Sequence, residues 1–440
     1  MTPARGPILV LDGDPRPELE RRGIPLRPAP GALPLPVRES VAVRTFHAGS
    51  ALAGSDVVTA MTGDLHRRAL ARIGAARRVR EWIGVALDLA REAAASAEDA
   101  GRPERAGEPA PPVRVAGLVW PLEPHGGAEA APDVADASAE HRAHAGALTD
   151  AGAGLLRIER VETIAESEAA TIAAIDTGVE TWTGVVLDER GTALVSGQPV
   201  SAWLSVVAPL EPSGLLIEAN SWDATMAGLD AARAALDLLD PRGAIALGVA
   251  LPLEAAALQP EGSRPPEAGL LEAGATLLSA GRDGSPQRLA ALRAVVDVEQ
   301  AARVRNERLR QDRMAAWLAQ ASDRALPGPA LWLETDPVPR SELALPDRFS
   351  WHVADPGAVR QLPAERFRLA VVPAWDGLTT PASPVDLVGP LVDALEPGAW
   401  LLVEGTGVPE ALATDARLGD IRPADPTGPG VYSWLARRRP

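Results

Sequence analysis

Eight short apolar runs, each followed by a stretch of helical periodicity, occupy roughly the first 300 residues and constrain the fold more than any other feature. The runs are Ile8–Leu11, Asp56–Thr59, Val113–Leu118, Gly154–Ile158, Thr181–Leu187, Gly214–Glu218, Ala244–Leu251 and Thr276–Ser279. Amphipathic segments lie between them: Leu65–Ala76, Val79–Ala95, Ala137–Ala151, Glu166–Asp176, Trp222–Leu239 and Pro286–Val298. Such alternation is what a (β/α)8 TIM barrel requires, although a doubly wound sheet would alternate too. Two stretches read as loop insertions, Glu98–Pro112 and Glu123–Ser138, the second containing His125-Gly126-Gly127.

Beyond the eighth run, Asp297–Ala325 is charged and helical in pattern, with Trp317 and Leu318 as its apolar face. Leu326-Pro327-Gly328-Pro329 breaks it. Strands at Ala330–Glu334, Phe349–Ala354, Phe367–Pro373 and Ala399–Glu404, with a helix at Val385–Leu395, then predict a small Rossmann-like α/β domain. The expected organisation is a barrel over residues 1–300, a helical linker over 301–326 and the small domain over 327–440.

Composition narrows the chemistry. All 43 basic residues are arginine, which excludes a P-loop lysine and Schiff-base catalysis. A formal charge of −16 argues against nucleic acid or an anionic membrane as partner. With no cysteine, disulfides, thiolate nucleophiles and thiolate-held metals are excluded. The apolar stretch Pro7–Leu11 is too short for a signal sequence, and no run approaches a membrane span, so a soluble cytoplasmic protein is expected.

Several phrases, in order over residues 7–300, resemble the homocysteine S-methyltransferase family. Ile8-Leu9-Val10-Leu11-Asp12-Gly13 resembles its opening strand. Ala53-Gly54-Ser55-Asp56-Val57-Val58-Thr59 resembles the family's Ala-Gly-Ala-Asp-Ile-Ile-Thr, with Arg68 and Gly74 downstream. Val115-Ala116-Gly117 with Pro121-Leu122 matches the third strand and its loop, and Ala151 to Glu159 matches the fourth strand, ending at the family's glutamate. Glu168-Ala169, Asp188-Glu189-Arg190-Gly191 and Ser196-Gly197 follow at the expected distances.

The resemblance implies zinc held by three thiolates, which ionise the bound substrate thiol. One ligand would follow an Asn after the sixth strand, and two adjacent ones would follow a Gly-Gly after the eighth. Here Asn220-Ser221 and Ala280-Gly281-Arg282-Asp283-Gly284 match, so Ser221, Arg282 and Asp283 stand where three cysteines would be. A neutral hydroxyl is a poor ligand and a guanidinium repels a cation, so zinc is not expected as cofactor. Arg282 and Asp283 are expected to pair with each other. Pro15-Arg16-Pro17 replaces the family's Gly-Thr, Met61 stands where its Thr-Asn-Thr has Asn, and Arg160 replaces a Thr. Asp12, Glu159 and Asn220 are the candidate substrate-binding residues. In the family the glutamate at Glu159 would help hold an amino group; simple pairing with a neighbouring arginine is the alternative.

The C-terminal domain resembles the second half of a class I S-adenosylmethionine methyltransferase, through Trp351-His352-Val353-Ala354-Asp355, Phe367-Arg368-Leu369-Ala370-Val371-Val372 and Leu395-Glu396-Pro397-Gly398. Leu331-Trp332-Leu333-Glu334-Thr335-Asp336-Pro337 supplies no glycine for close approach of that cofactor, so a complete adenosylmethionine site is not expected.

His141 and His144 share a helix face that reads as exposed, with metal ligation the lesser alternative. Trp182, Trp203 and Trp222 read as core or rim packing. The carboxylates Asp12, Glu159, Glu218 and Asp283 end strands and would converge at a barrel mouth. Three functions follow: a methyltransferase-like protein with degenerate zinc chemistry, a binding or scaffold protein, or a metal-thiolate-independent enzyme. The candidate partners are a small molecule at the mouth, another protein, or a second copy of the chain. A new enzyme predicts a cavity lined by Glu159 and Arg282; a scaffold predicts a filled mouth.

Overall fold

A computed structural model of the chain describes residues 7–25, 32–102, 110–123, 134–240, 243–253, 265–324, 327–333, 347, 349–354, 356–372, 385–404, 412–413, 415–423 and 433–439. Eight parallel strands close a barrel in sequence order: β1 (Leu9–Leu11), β2 (Val57–Ala60), β3 (Arg114–Val119), β4 (Leu155–Val161), β5 (Glu180–Val186), β6 (Gly214–Glu218), β7 (Ala246–Ala250) and β8 (Leu277–Ser279). β8 pairs with β1 through Leu277↔Leu9 and Ser279↔Leu11, which excludes an open doubly wound sheet.

Around the barrel lie α1 (Arg16–Arg21), α2 (Leu35–Arg38), α3 (Ser40–Leu52), α4 (Arg67–Ala71), α5 (Val79–Asp99), α6 (Val134–Asp150), α7 (Ile164–Ile175), α8 (Val200–Val207), α9 (Trp222–Leu239) and α10 (Pro266–Glu272). Helix starts follow from local capping: Thr163 accepts the Glu166 amide to open α7, and Ser221 accepts that of Ala224 to open α9. Inside the barrel Trp182, with Leu11, Val57, Leu155, Leu216 and Leu277, forms an apolar layer. Gly214 makes room for it, because a Cβ there would sit 2.8 Å from Leu277 and 2.9 Å from Trp182. Trp203 is also fully buried, whereas Trp222 is half-buried.

The segments Pro286–Val298 and Asp297–Ala325 form a single helix, α11 (Pro286–Arg324), instead of a barrel helix followed by a separate bridge. Ala325 and Leu326 lie outside the described residues, as do Asp355, Glu334 to Pro337 and His125-Gly126-Gly127. The chain divides into two compact units between Ala301 and Ala302, within α11.

In the second unit β9 (Gly328–Leu333), β10 (Phe349–Ala354), β11 (Phe367–Val372), β12 (Leu395–Glu404), β13 (Leu418–Pro423) and β14 (Ser433–Arg438) form one sheet in the order β10-β9-β11-β12-β14-β13, with helix α12 (Val385–Ala394). The first four positions are parallel, and β14 runs antiparallel to both neighbours. Alternate residues of β9 face opposite clusters: Leu331 and Leu333 pack with Val388 and Leu391 of α12, while Ala330 and Trp332 pack with Leu369 and Leu402. Burial on both faces explains why these strands read as continuous apolar runs.

Candidate functional site at the barrel mouth

Strand ends bring chemistry to the C-terminal face of the barrel. Asp12 follows β1 and is fully buried. Its carboxylate accepts the backbone N–H of Thr59 at 2.7 Å and the Thr59 hydroxyl at 2.6 Å. Arg157, from the interior of β4, lies beside it: Nη1 is 3.4 Å from Asp12 and donates to Thr59 Oγ1 at 2.9 Å, while Nη2 donates to Ser279 Oγ at 2.9 Å. Ser279 in turn donates to the Asp12 carbonyl at 2.7 Å. Burial raises the Asp12 pKa to about 6, even though Arg157 and the two Thr59 hydrogen bonds pull it down. Four strands, β1, β2, β4 and β8, thus meet in one buried polar network.

Glu159 lies two residues beyond Arg157 on the same strand face, with Oε1 2.5 Å from Arg157 Nε. Ion pairing with a neighbouring arginine therefore describes Glu159 in the free protein. Above this floor Asp14 takes a forked pair of hydrogen bonds from Arg16 and one from Arg160 at 2.9 Å. Burial would raise the Asp14 pKa, but the hydrogen bonds and charges of Arg16 and Arg160 hold it below the usual carboxylate range. Both guanidiniums stack on Trp120, at 4.5 and 5.4 Å from the ring centroid.

A cavity of about 380 Å³ opens here. Asp12, Glu159 and Glu218 line it, as the convergence of strand ends predicts. Asp283 and Arg282 do not, nor do Asn220 and Ser221. The cavity extends toward β2 and β3, where Met61, Leu65, Leu70 and Ile73 supply an apolar wall.

The three positions matched to thiolates are engaged in other contacts. Ser221 Oγ caps α9, 3.2 Å from the Ala224 nitrogen. Arg282 and Asp283 do not pair with each other as the sequence suggests. Arg282 reaches Glu218 at 2.7 Å, and Asp283 accepts from Arg21 at 2.7 Å and from the Ser285 amide at 3.2 Å. Arg282 thus reaches the end of β6 and Asp283 the end of α1, after a turn in which Gly281 adopts a left-handed φ of 68°. One hydroxyl, one guanidinium and one carboxylate do not make a tetrahedral zinc site. Among the described residues no group of three or more His, Cys, Asp or Glu could hold a metal ion.

His141 and His144 are buried, a correction to the exposed face expected from their Ala- and Glu-rich helix. His141 Nε2 is 3.3 Å from Glu166 Oε1, and His144 Nε2 is 3.4 Å from the Leu118 carbonyl. The His66 ring packs edge-on against His144 at 6.0 Å. The partners come from β3, α7 and the α4 cap, so the helix's own sequence carries no sign of them. Arg157 was legible in principle: it precedes Glu159 by two residues in an apolar run, the period of one strand face.

The family profile of homocysteine S-methyltransferase matches residues 9–248, more than half of the chain. The structure is similar to the homocysteine methyltransferase MmuM from Escherichia coli. Its metallated form shares 24% identity with a TM-score of 0.55, covering 66% of this chain and 96% of that one. The oxidized form gives 24% identity and a TM-score of 0.54, covering 65% and 95%. No curated protein matches the chain. With the profile spanning most of the barrel and these structures sharing its fold, the chain belongs to the homocysteine S-methyltransferase family.

Proposed function

We propose that this barrel has exchanged zinc-dependent thiol methylation for the binding of a small molecule at its mouth. One observation carries the reading: Ser221, Arg282 and Asp283 are each engaged by a helix cap or an ion pair, and none of the three lines the cavity. Without a cation to ionise it, a substrate thiol near pH 7 stays largely protonated and is a weak nucleophile. An open mouth also favours small-molecule binding over a purely structural scaffold, which would fill it.

A second reading, metal-independent catalysis, has support in Asp12. Its pKa of about 6 lies in the range where a carboxyl can exchange protons near neutral pH, and it lines the cavity. On either reading the C-terminal unit contributes no adenosylmethionine chemistry, and the protein works in the cytoplasm. Among the described residues no helix is long and apolar enough to cross a membrane.

Equilibrium dialysis against zinc tests the proposal. The natural chain is expected to retain substoichiometric zinc, while the triple variant S221C/R282C/D283C gains a site. One tightly held zinc per natural chain would overturn the reading.

A further inference from the structure

We propose that the mouth contains an oxyanion subsite, formed by Arg16 and Arg160 on Trp120, which takes the carboxylate or phosphate of an amphipathic small molecule. The inference rests on the small-molecule reading above and adds the chemistry of the ligand.

Two arginines from different parts of the barrel meet at this corner. Arg16 opens α1 just after β1, and Arg160 lies near the end of β4. Both stand where the family resemblance gives small residues, Gly-Thr in the first case and Thr in the second. Both line the cavity, lie over the same indole and share the carboxylate of Asp14. Asp64 and Glu159 add longer-range attraction to Arg16, whereas Arg160 is held by Asp14 through a single N–H. A guanidinium has five N–H donors in a planar fork, so Arg160 keeps donors for an incoming oxyanion.

The backbone points the same way. Arg160 has φ 62°, a left-handed conformation that a side-chain-bearing residue adopts only under constraint, at the β4–β5 register shift between Ile158 and Val161. A threonine or glycine there would avoid stacking, pairing and, for glycine, strain. Strain retained at a cavity wall is what a ligand-holding group shows when its placement matters more than local stability. Behind the corner Gly63 allows Trp120 its position, since a Cβ at Gly63 would lie 2.6 Å from the ring.

One apolar wall sets the rest of the ligand. Met61, Leu65, Leu70 and Ile73 line it, and Met61 stands where the resemblance gives an asparagine. An apolar tail against this wall and an oxyanion at Arg16 and Arg160 define an amphipathic anion.

Calorimetric titration of the full chain with hexanoate, hexyl phosphate and hexylammonium tests this. At least one anion is expected to bind saturably, with hexylammonium far weaker; the tighter anion identifies carboxylate or phosphate as the natural group. Arg16→Thr and Arg160→Gly should each weaken that binding roughly tenfold to a hundredfold, the loss expected for a charge-assisted hydrogen bond. Circular-dichroism melting checks that the variants fold, and Arg160→Gly should melt no lower than the natural chain because it relieves the left-handed strain. If a variant does not fold, the anion–cation contrast on the natural chain decides alone. No saturable anion binding, equal binding of hexylammonium, or affinity unchanged in both folded variants would overturn the inference. Zinc retention by the natural chain would instead overturn the underlying functional reading, so the two failures are distinguishable.

Discussion

Arg157 and Asp12 are a buried ion pair stitched into the barrel by Thr59 and Ser279, and their strength lies in mutual completion. Removing one member leaves the other charge desolvated, so Arg157→Met should cost about 3–5 kcal/mol, read from urea denaturation. By contrast Arg282 is 44% exposed, and Arg282→Ala should change stability by less than about 1 kcal/mol despite its 2.7 Å contact with Glu218. Burial also fixes the acid response. It pushes His47, His66 and His144 down to about 4, 4 and 3 from an ordinary 6.5, so unfolding takes up protons between pH 6.5 and 4. Stability supplied by neutral histidine is therefore lost as pH falls through that window. Asp12 acts oppositely: with its folded pKa raised from 3.8 to about 6, the native state holds the proton and gains stability on acidification below pH 6. Three histidines outweigh one aspartate, and the urea midpoint should fall between pH 7 and pH 5. Both ring nitrogens of His47 lack partners, so His47→Leu should reduce that fall. A variant as acid-sensitive as the natural chain would contradict the assignment.

At the scale of elements, the strands were legible because a barrel strand is apolar on both faces, inward to the interior and outward to the helices. All eight predicted runs overlap the observed strands, and Gly214–Glu218 coincides with β6. Less visible were the edge strand β13 and its neighbour β14, where Leu-Gly-Asp-Ile-Arg-Pro and Ser-Trp-Leu-Ala-Arg-Arg carry charge and lack the apolar run that marks a buried strand. The joined helix α11 was missed because its apolar spacing weakens while its helix-forming residues continue. Among the site residues, Glu159 was found through resemblance, but Trp120 and Asp14 acquire meaning only once β1, β3 and β4 are side by side. Loop glycines offer a test of this packing. Gly191 has φ 75°, and a Cβ would lie 1.9 Å from the Ala224 carbonyl; Gly197 has φ 83° and open space around it. Gly191→Ala should therefore cost about 2–3 kcal/mol or more and Gly197→Ala about 1 kcal/mol, compared by thermal melting. Equal costs would mean that the loop after β5 is not seated on α9 as described.

For the molecule as a whole, membership of the family and the absence of cysteine are both plain, and the proposed loss of zinc chemistry rests on the second. The family profile covers most of the barrel, whose interior holds an apolar layer around Trp182. Beyond β8, Arg282 pairs with Glu218 at the end of β6 and Asp283 pairs with Arg21 of α1. The open volume is instead bounded by Asp12, Glu159, Trp120 and the apolar wall through Met61. The second compact unit has its own two-faced sheet core, which the apolar runs in the sequence anticipated. Methionine formation distinguishes retained from lost zinc chemistry. Purified, zinc-supplemented full-length chain is incubated with homocysteine and S-methylmethionine, and methionine is measured against an enzyme-free control. No turnover above that control is expected; zinc-dependent turnover by the natural chain would show that the barrel still activates a thiol.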